Sequence, residues 1–289
     1  MDLGRVGIWS PSFRNKTGEE LASVGRELEA LGFGTVWIPG TALLGDVFTE
    51  VDALLDGTDR LVAATGILSI WDYEATVAAA RHADRAARHP GRAVLGLGVS
   101  HAPLVDMNEP GRYRQPVARM VAFLDELEAQ EVPLRSDVVL AALGPRMLEL
   151  AATRTAGAHP YLVTPEHTAG ARATMGVGPV LAPELAVAIT TDPAEARAMA
   201  REHLAIYLGL PNYYNNWLRL GFSDDDFADG GSDRLVDALV AWGDLDAIGR
   251  RIREHLDAGA DHVCLQALGG PRQQFPTDAW KALAVLTGL

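Results

Sequence analysis

The segment Ala258-Gly259-Ala260-Asp261-His262-Val263-Cys264-Leu265-Gln266-Ala267 carries a helix end, a turn and a strand in ten residues. An amphipathic stripe over Asp246–Asp257 runs into it, and Gly259 supplies the left-handed residue that stops a helix. The apolar run His262–Ala267 then has the length and composition of a buried strand. The same helix-to-strand joint recurs at Ala30-Leu31-Gly32-Phe33 and at Ala156-Gly157-Ala158. Repetition favours a βα barrel over a two-domain enzyme. A doubly wound sheet uses similar joints and stays open at this point.

Apolar runs alternate with amphipathic stretches along the rest of the chain, as expected of βα units around a parallel sheet. Eight candidate strands are Val6–Trp9, Thr35–Pro39, Leu61–Ser69, Ala93–Val99, Val138–Leu143, Tyr161–Thr164, Val187–Thr190 and His262–Ala267. Helical stripes cover Gly18–Leu31, Ala75–Arg88, Pro116–Gln130, Arg146–Arg154, Glu166–Met175, Pro193–Leu208 and Asp246–Asp257. The expected fold is α/β, a (β/α)8 TIM barrel with a helical excursion between strands seven and eight. Between Gly209 and Asp244 no strand is evident. Tyr207, Tyr213, Tyr214, Trp217, Phe222 and Phe227 put 6 of 19 aromatic residues within 21 positions at its start. They read first as anchors that pack the excursion on the barrel or on a second subunit, and second as a ligand lining.

At 289 residues the chain can bury about three-quarters of its unfolded surface as one domain over residues 1–289, without disulfides or metal. One cysteine, Cys264, and no signal-like start imply a cytoplasmic protein. No apolar run is long enough for a membrane span. The net charge of −13 argues against nucleic acid and anionic lipid as partners. That charge is uneven. Gly221–Asp246 holds eight aspartates against Arg234 alone, leaving −6 for the rest, and this segment reads as a solvated face with helix caps before Leu235 and Leu245.

In a barrel, chemistry sits where strands end. Strand four ends Gly96-Leu97-Gly98-Val99-Ser100-His101-Ala102-Pro103. Alternate glycines leave one strand face bare for a flat ring or a backbone, and Ser100 and His101 offer a hydroxyl and an imidazole beyond it. The same residues spell Gly-x-Ser-x-small, which invites a hydrolase with Ser100 as nucleophile. Pro103, Pro110 and Gly111 oppose the strand-to-helix elbow such a nucleophile needs. Strand five ends Ala141-Ala142-Leu143-Gly144-Pro145-Arg146 and enters a helix whose first turn can cradle an anion, or simply turn. No histidines have metal-ligand spacing, and Cys264 reads as a packing residue.

Together, Ala64-Thr65-Gly66-Ile67, Leu95–Pro103, Ala141–Leu148, Gly111-Arg112-Tyr113, His159–His167 and Gly259–Val263 resemble the bacterial luciferase-like monooxygenase family. They most resemble its actinobacterial branch assigned to the deazaflavin coenzyme F420. The resemblance implies a TIM barrel that binds F420, or FMN as the alternative, in its mouth. It also implies a homodimer acting on a small organic substrate, with a separate reductase if flavin serves. It implies a non-proline cis peptide at Ser69–Ile70 behind the cofactor ring, with Gly98, Ser100 and His101 beside that ring. The cofactor phosphate would meet Ala141, Ala142, Leu143 and Gly144, with Gly157 and Tyr161 nearby. His101 and Tyr113 become the proton-transfer candidates, with His167 and Asp46 behind them, because Trp37-Ile38-Pro39-Gly40 places glycine where many relatives carry an acid or a histidine. The expected activity is hydride transfer between cofactor and substrate. An FMN-dependent monooxygenase, a non-catalytic cofactor-binding homologue and a serine hydrolase are the alternatives.

Overall fold

A computed structural model describes residues 1–40, 45–107 and 109–289. Ten parallel strands form its sheet: β1 (Val6–Trp9), β2 (Thr35–Gly40), β3 (Val62–Ser69), β4 (Ala93–Gly98), β5 (Val138–Leu140), β6 (Gly157–Ala158), β7 (Val180–Leu181), β8 (Glu184–Ala188), β9 (Val240–Trp242) and β10 (Val263–Ala267). Their order is β7-β6-β5-β4-β3-β2-β1-β10-β8-β9. β7 and β8 are one run of chain interrupted at Ala182-Pro183. Its first part pairs with β6 and its second with β10, so the sheet returns on itself and closes. Counting that run as one stave, the ring that closes through β1–β6, β7/β8 and β10 has the eight staves of a (β/α)8 barrel, and β9 pairs with β8 beside it.

The helices are α1 (Gly18–Ala30), α2 (Val47–Asp56), α3 (Ala75–Arg88), α4 (Ala102–Val105), α5 (Pro116–Ala129), α6 (Leu134–Asp137) and α7 (Pro145–Arg154). They continue as α8 (Pro165–Met175), α9 (Pro193–Leu204), α10 (Pro211–Arg219), α11 (Asp224–Phe227), α12 (Asp233–Leu239), α13 (Leu245–Asp257) and α14 (Thr277–Leu283). One apolar layer lies between sheet and helices. A second fills the barrel with Trp9, Trp37, Val62, Ala64, Val94, Val139 and Cys264. Inside, His159 stacks on Trp37 with centroids 4.1 Å apart, and Trp37 Nε1–H donates to His262 Nε2 at 3.3 Å. Cys264 is fully buried, as its apolar strand implies.

Several expectations shift. Gly32 and Gly259 take the left-handed conformation that ends a helix, with φ of +90° and +106°. Gly157 does not stop a helix. It lies within β6, where a Cβ would sit 1.9 Å from Val180 O. The sixth strand is therefore Gly157–Ala158, and Tyr161–Thr164 leaves the sheet. The edge of β8 that this segment would extend along is taken by β9, which pairs Val240–Trp242 with Ala186–Ala188. β9 breaks the strandless expectation for Gly209–Asp244. The seventh strand starts earlier than Val187, and α2 was not foreseen although Val47, Phe48, Val51, Leu54 and Leu55 form its buried stripe.

The excursion has its own core, in which Tyr213, Trp217 and Phe222 pack with Leu204, Leu210 and Leu239. Trp217 Nε1–H donates to Leu162 O at 3.2 Å and ties it to the barrel. Its acidic segment is more than a solvated face. Asp226 takes 2.7 Å hydrogen bonds from Ser232 and Arg234, while Arg197 holds Asp233 and Asp237. Asp244 caps α13, but the cap of α12 is Ser232.

Candidate functional site

One wall of the barrel mouth is made of backbone. The β3–β4 register shifts between Ala64 and Leu68, and at this bulge Gly66 and Ile67 become half-buried between buried neighbours. The glycines of β4 make room for it. A Cβ on Gly96 would stand 2.0 Å from Thr65 O, and one on Gly98 would stand 2.5 Å from Ile67 Cδ1. The bare face of β4 thus receives β3, and Ile67 rather than β4 is what a flat ring would meet. Trp9 Nε1–H donates to Gly66 O at 2.7 Å and pins the bulge from below.

The cis peptide bond among the described residues is Gly66–Ile67, which corrects the expectation at Ser69–Ile70. Ser69 and Ile70 are buried beneath the strand end: Ile70 N–H donates to Gly98 O at 3.1 Å, and Ser69 Oγ accepts from Trp71 N–H at 3.3 Å. Gly40 abuts the same bulge. A Cβ there would lie 3.0 Å from Ile67 O and 3.1 Å from Leu68 Cα, so the missing acid of strand two coincides with backbone crowding.

The opposite wall is made of side chains. Tyr161 follows β6, His203 lies on α9, Tyr207 follows it and Tyr213 lies on α10. Tyr161 O–H donates to Gln266 Oε1 of β10 at 2.7 Å, and its oxygen is 3.1 Å from the Tyr207 hydroxyl. Tyr207 and Tyr213 meet edge to face with centroids 5.1 Å apart. His101 stacks obliquely on Tyr213 at 5.3 Å, and Trp9 reaches Tyr161 at 5.4 Å, joining the two walls. Burial pushes the phenols of Tyr161, Tyr207 and Tyr213 up and the imidazoles of His101 and His203 down to about 4. The wall is polar but uncharged at neutral pH. The sequence left Tyr207 and Tyr213 undecided between anchoring and lining. Tyr213 does both.

His101 Nδ1 is buried without a hydrogen-bond partner among the described residues. As a neutral imidazole it suits hydrogen bonding to a ligand better than delivery of a proton near pH 7. Ser100 adopts φ +52°, and its carbonyl accepts from Asn212 Nδ2 at 3.2 Å. Asn212 also donates to the Tyr113 hydroxyl, whose pKa burial raises. Tyr113 packs on Trp71 at 5.6 Å and stands at the rim. The hydrolase reading finds no support, since no hydrogen bond joins Ser100 to a histidine among the described residues. Asp46 caps α2 and pairs with Arg81 at 3.0 Å, which makes it structural.

At the end of β5, Ala141 N–H is spent on Leu97 O at 2.8 Å, and Ala142 is buried. Leu143 and Gly144 turn into α7, with Pro145 as its first residue. His167 Nε2 meets Leu143 O at 2.9 Å and braces this turn, so that histidine is also structural. Arg219, from the last turn of α10, brings Nη2 to 3.7 Å from where a Gly144 Cβ would stand. Pro145 has no N–H and those of Met147 and Leu148 each donate to Gly144 O at 3.1 Å, so the anion clamp this turn can offer is the Arg146 N–H beside the Arg219 cation. Sequence inspection missed Arg219 because it lies 75 residues beyond the turn it covers. Gly157, deep in the sheet, does not reach the clamp. Two surface depressions, of about 410 Å³ beside Arg135 and Arg154 and about 240 Å³ around His262 and Gly4, lie away from both walls.

Below the side-chain wall, Glu184 is 1% exposed. Oε2 accepts from Leu162 N–H at 3.1 Å, and Oε1 has no partner among the described residues. Burial raises this carboxyl to about 8. Glu184 and Gln266 were also missed, although each is a lone polar residue in an apolar strand, a signal visible in the sequence. No cluster of three or more metal-ligating side chains occurs among the described residues, and no helix among them is long and apolar enough to cross a membrane.

Residues 5–262 match the family described as luciferase-like monooxygenase. No curated protein matches the chain. Among solved structures it is similar to an F420-dependent secondary alcohol dehydrogenase in complex with an F420–acetone adduct, with TM-score 0.73, 14% identity and 98% of both chains covered. It is similar to the coenzyme F420-dependent tetrahydromethanopterin reductase of Methanopyrus kandleri, with TM-score 0.73, 16% identity and 98% of both chains covered. A third is the oxygenating constituent of 3,6-diketocamphane monooxygenase from the CAM plasmid of Pseudomonas putida, a type II Baeyer–Villiger monooxygenase in complex with FMN. Its TM-score is 0.70 at 14% identity, over 98% of this chain and 96% of that one. At such identities these three establish the barrel and its closure.

Proposed function

The chain belongs to the luciferase-like monooxygenase family, and from this we propose an oxidoreductase that transfers hydride between coenzyme F420, or FMN in second place, and a small uncharged organic substrate. The observation that carries it is the pairing of a half-buried backbone bulge at Gly66–Ile67 with a cation, Arg219, held over the Leu143–Gly144 turn. One feature suits a flat ring and the other a phosphate. The unpartnered His101 Nδ1 suits a polar ring edge.

When bound, the cofactor supplies the two-electron step. Ile67 would back the ring, Arg219 with the Arg146 N–H would hold the phosphate, and His101 would fix the ring edge. Tyr161, Tyr207 and Tyr213 orient substrate and exclude water. Because the titratable groups of this wall are neutral, it favours a neutral carbonyl or alcohol over an ion. The preference for F420 rests on the motifs of strands three to five. The homodimer rests on family resemblance alone, since the aromatic residues of the excursion pack on their own barrel. Fluorescence titration of the purified chain with F420 and with FMN tests the reading. Micromolar binding of either cofactor is expected, and no binding of both overturns it.

A further inference from the structure

Gln266 is the lone amide in the apolar run of β10, and it is 8% exposed. Its Oε1 lies 2.7 Å from the Tyr161 hydroxyl, which is itself 3.1 Å from the Tyr207 hydroxyl. Each of these two contacts fixes the direction of the other. An amide oxygen only accepts, so the single proton of Tyr161 goes to Gln266. The Tyr161 oxygen can then only accept from its other neighbour, and the 3.1 Å contact carries the proton of Tyr207. With that proton directed inward, Tyr207 has only lone pairs left for whatever lies beyond it. Tyr161 and Tyr207 are both half-buried, so the chain of hydrogen bonds ends at the mouth rather than in the core. The same wall holds two donors. Neither the Tyr213 hydroxyl nor Gln266 Nε2 makes a hydrogen bond among the described residues, and neither atom is sealed from solvent.

A carbonyl oxygen can accept from Tyr213 or from Gln266 Nε2, but at Tyr207 it meets lone pairs. An alcohol oxygen accepts from the same donors and gives its own proton to Tyr207. We propose that Gln266, by drawing the Tyr161 proton inward, makes the Tyr207 hydroxyl an acceptor, so that the mouth selects a small neutral alcohol over the carbonyl compound of the same shape. That the alcohol is a substrate rests on the oxidoreductase reading, whereas the direction of the hydrogen bonds does not. Gln266 acts through Tyr161 and is a positioning residue. Tyr207 is the group that meets the ligand. With the amide turned over, Nε2 would donate to Tyr161, both contacts would reverse, and the carbonyl compound would be preferred.

Cyclohexanol and cyclohexanone differ little in shape, and ligand-observed NMR titration of the chain with and without F420 gives the affinity of each. Wild type should hold the alcohol about tenfold more tightly, the difference that one hydrogen bond makes. Gln266→Met removes the acceptor at nearly constant volume, so Tyr161 can donate to Tyr207 and Tyr207 to the ligand. The ketone should then bind about tenfold more tightly than it does to wild type, which closes the gap. Tyr161→Phe cuts the chain one link further on and should do the same, so either variant suffices if the other does not fold. Tyr207→Phe should close the gap the other way, by weakening the alcohol. A merely structural role for Gln266 predicts weaker binding of both compounds and a gain for neither. Equal wild-type affinities, a preference for the ketone, binding of neither compound in either condition, or no gain in ketone affinity in the folded variants overturns the proposal. Failure of wild type to bind F420 and FMN while the alcohol preference persists overturns the oxidoreductase reading instead and leaves the direction of the hydrogen bonds standing.

Discussion

The β3–β4 side of the mouth and the side formed by the β6 loop, the excursion and β10 face the same space but are built differently. The first is backbone on backbone, with glycines at 96 and 98 admitting a bulge. The second is five polar rings held by one another and by buried apolar anchors such as Trp217. A wall of backbone has no titratable group and few ways to rearrange. A wall of neutral histidines and tyrosines depends on pH and on the docking of the segment that carries it. The two should therefore fail under different insults.

Acid is the largest of these. His159 and His262 inside the barrel and His101 and His203 at the mouth are depressed to about 4, and His255 to about 3. Their unfolded value is about 6.5. The unfolded chain thus binds more protons between those limits, and stability is lost as pH falls from about 6.5 toward 4. Glu184 works the other way. Raised from 4.5 to about 8, it contributes stability fully below 4.5 and loses it as pH rises through about 8. Five histidines outweigh one carboxyl on the acid side, so stability should peak between about pH 6.5 and 7. Denaturant midpoints from pH 4 to 9 check the shape, and pulse-labelled hydrogen exchange at pH 5 should show α9–α10 opening before β3–β4. Simultaneous opening would erase the distinction between the walls.

Two substitutions of similar cost separate them at neutral pH. Trp217→Ala removes a fully buried indole and its bond to Leu162 O, and should destabilise by about 4 kcal/mol while leaving exchange protection in β3 and β4 intact. Gly96→Ala forces a Cβ against Thr65 O, should cost about 3 kcal/mol, and should weaken cofactor binding with it because the bulge must move. Gly98→Ala meets side-chain atoms rather than backbone, Ile67 Cδ1 and Cγ1 at 2.5 and 2.7 Å and Ala141 Cβ at 3.2 Å, and should cost less, about 1 kcal/mol. Equal losses at positions 96 and 98 would mean that β4 does not receive the bulge as described.

The same contrast explains what the sequence could disclose. Helix-stopping glycines at 32 and 259 and long apolar runs are local signals, and they were enough for a barrel. Val240–Trp242 is only three residues long and becomes a strand because the β8 edge is open to it, which no local pattern encodes. Gly96 and Gly98 stood out, but their reason lay in the neighbouring strand, so the space they leave was assigned to a ring rather than to Ile67. The side-chain wall was harder. Tyr161, Tyr207, Tyr213 and Gln266 come from four segments, and only barrel closure brings them together. Glu184 was visible as a lone carboxylate in an apolar strand, while its meaning depended on the absence of a partner for Oε1.

Arg219 is where the excursion contributes charge to the mouth rather than rings, and it gives the smallest effect. It is exposed, and burial lowers its pKa without removing its charge. Arg219→Ala should leave folding stability within about 0.5 kcal/mol of wild type, since among the described residues its side chain bonds only Asn216 Oδ1, at 3.2 Å. Binding of F420 or FMN should weaken about tenfold, as expected for the loss of one charge-assisted contact to a partly solvated phosphate. The gap between wild type and variant should narrow as salt rises, because an exposed cation is screened. Arg219→Lys should keep part of the affinity, a point charge replacing a fork. If Arg219→Ala binds either cofactor as wild type does at low salt, the clamp over Leu143–Gly144 is not a phosphate site. The excursion would then act on the mouth through its aromatic rings alone.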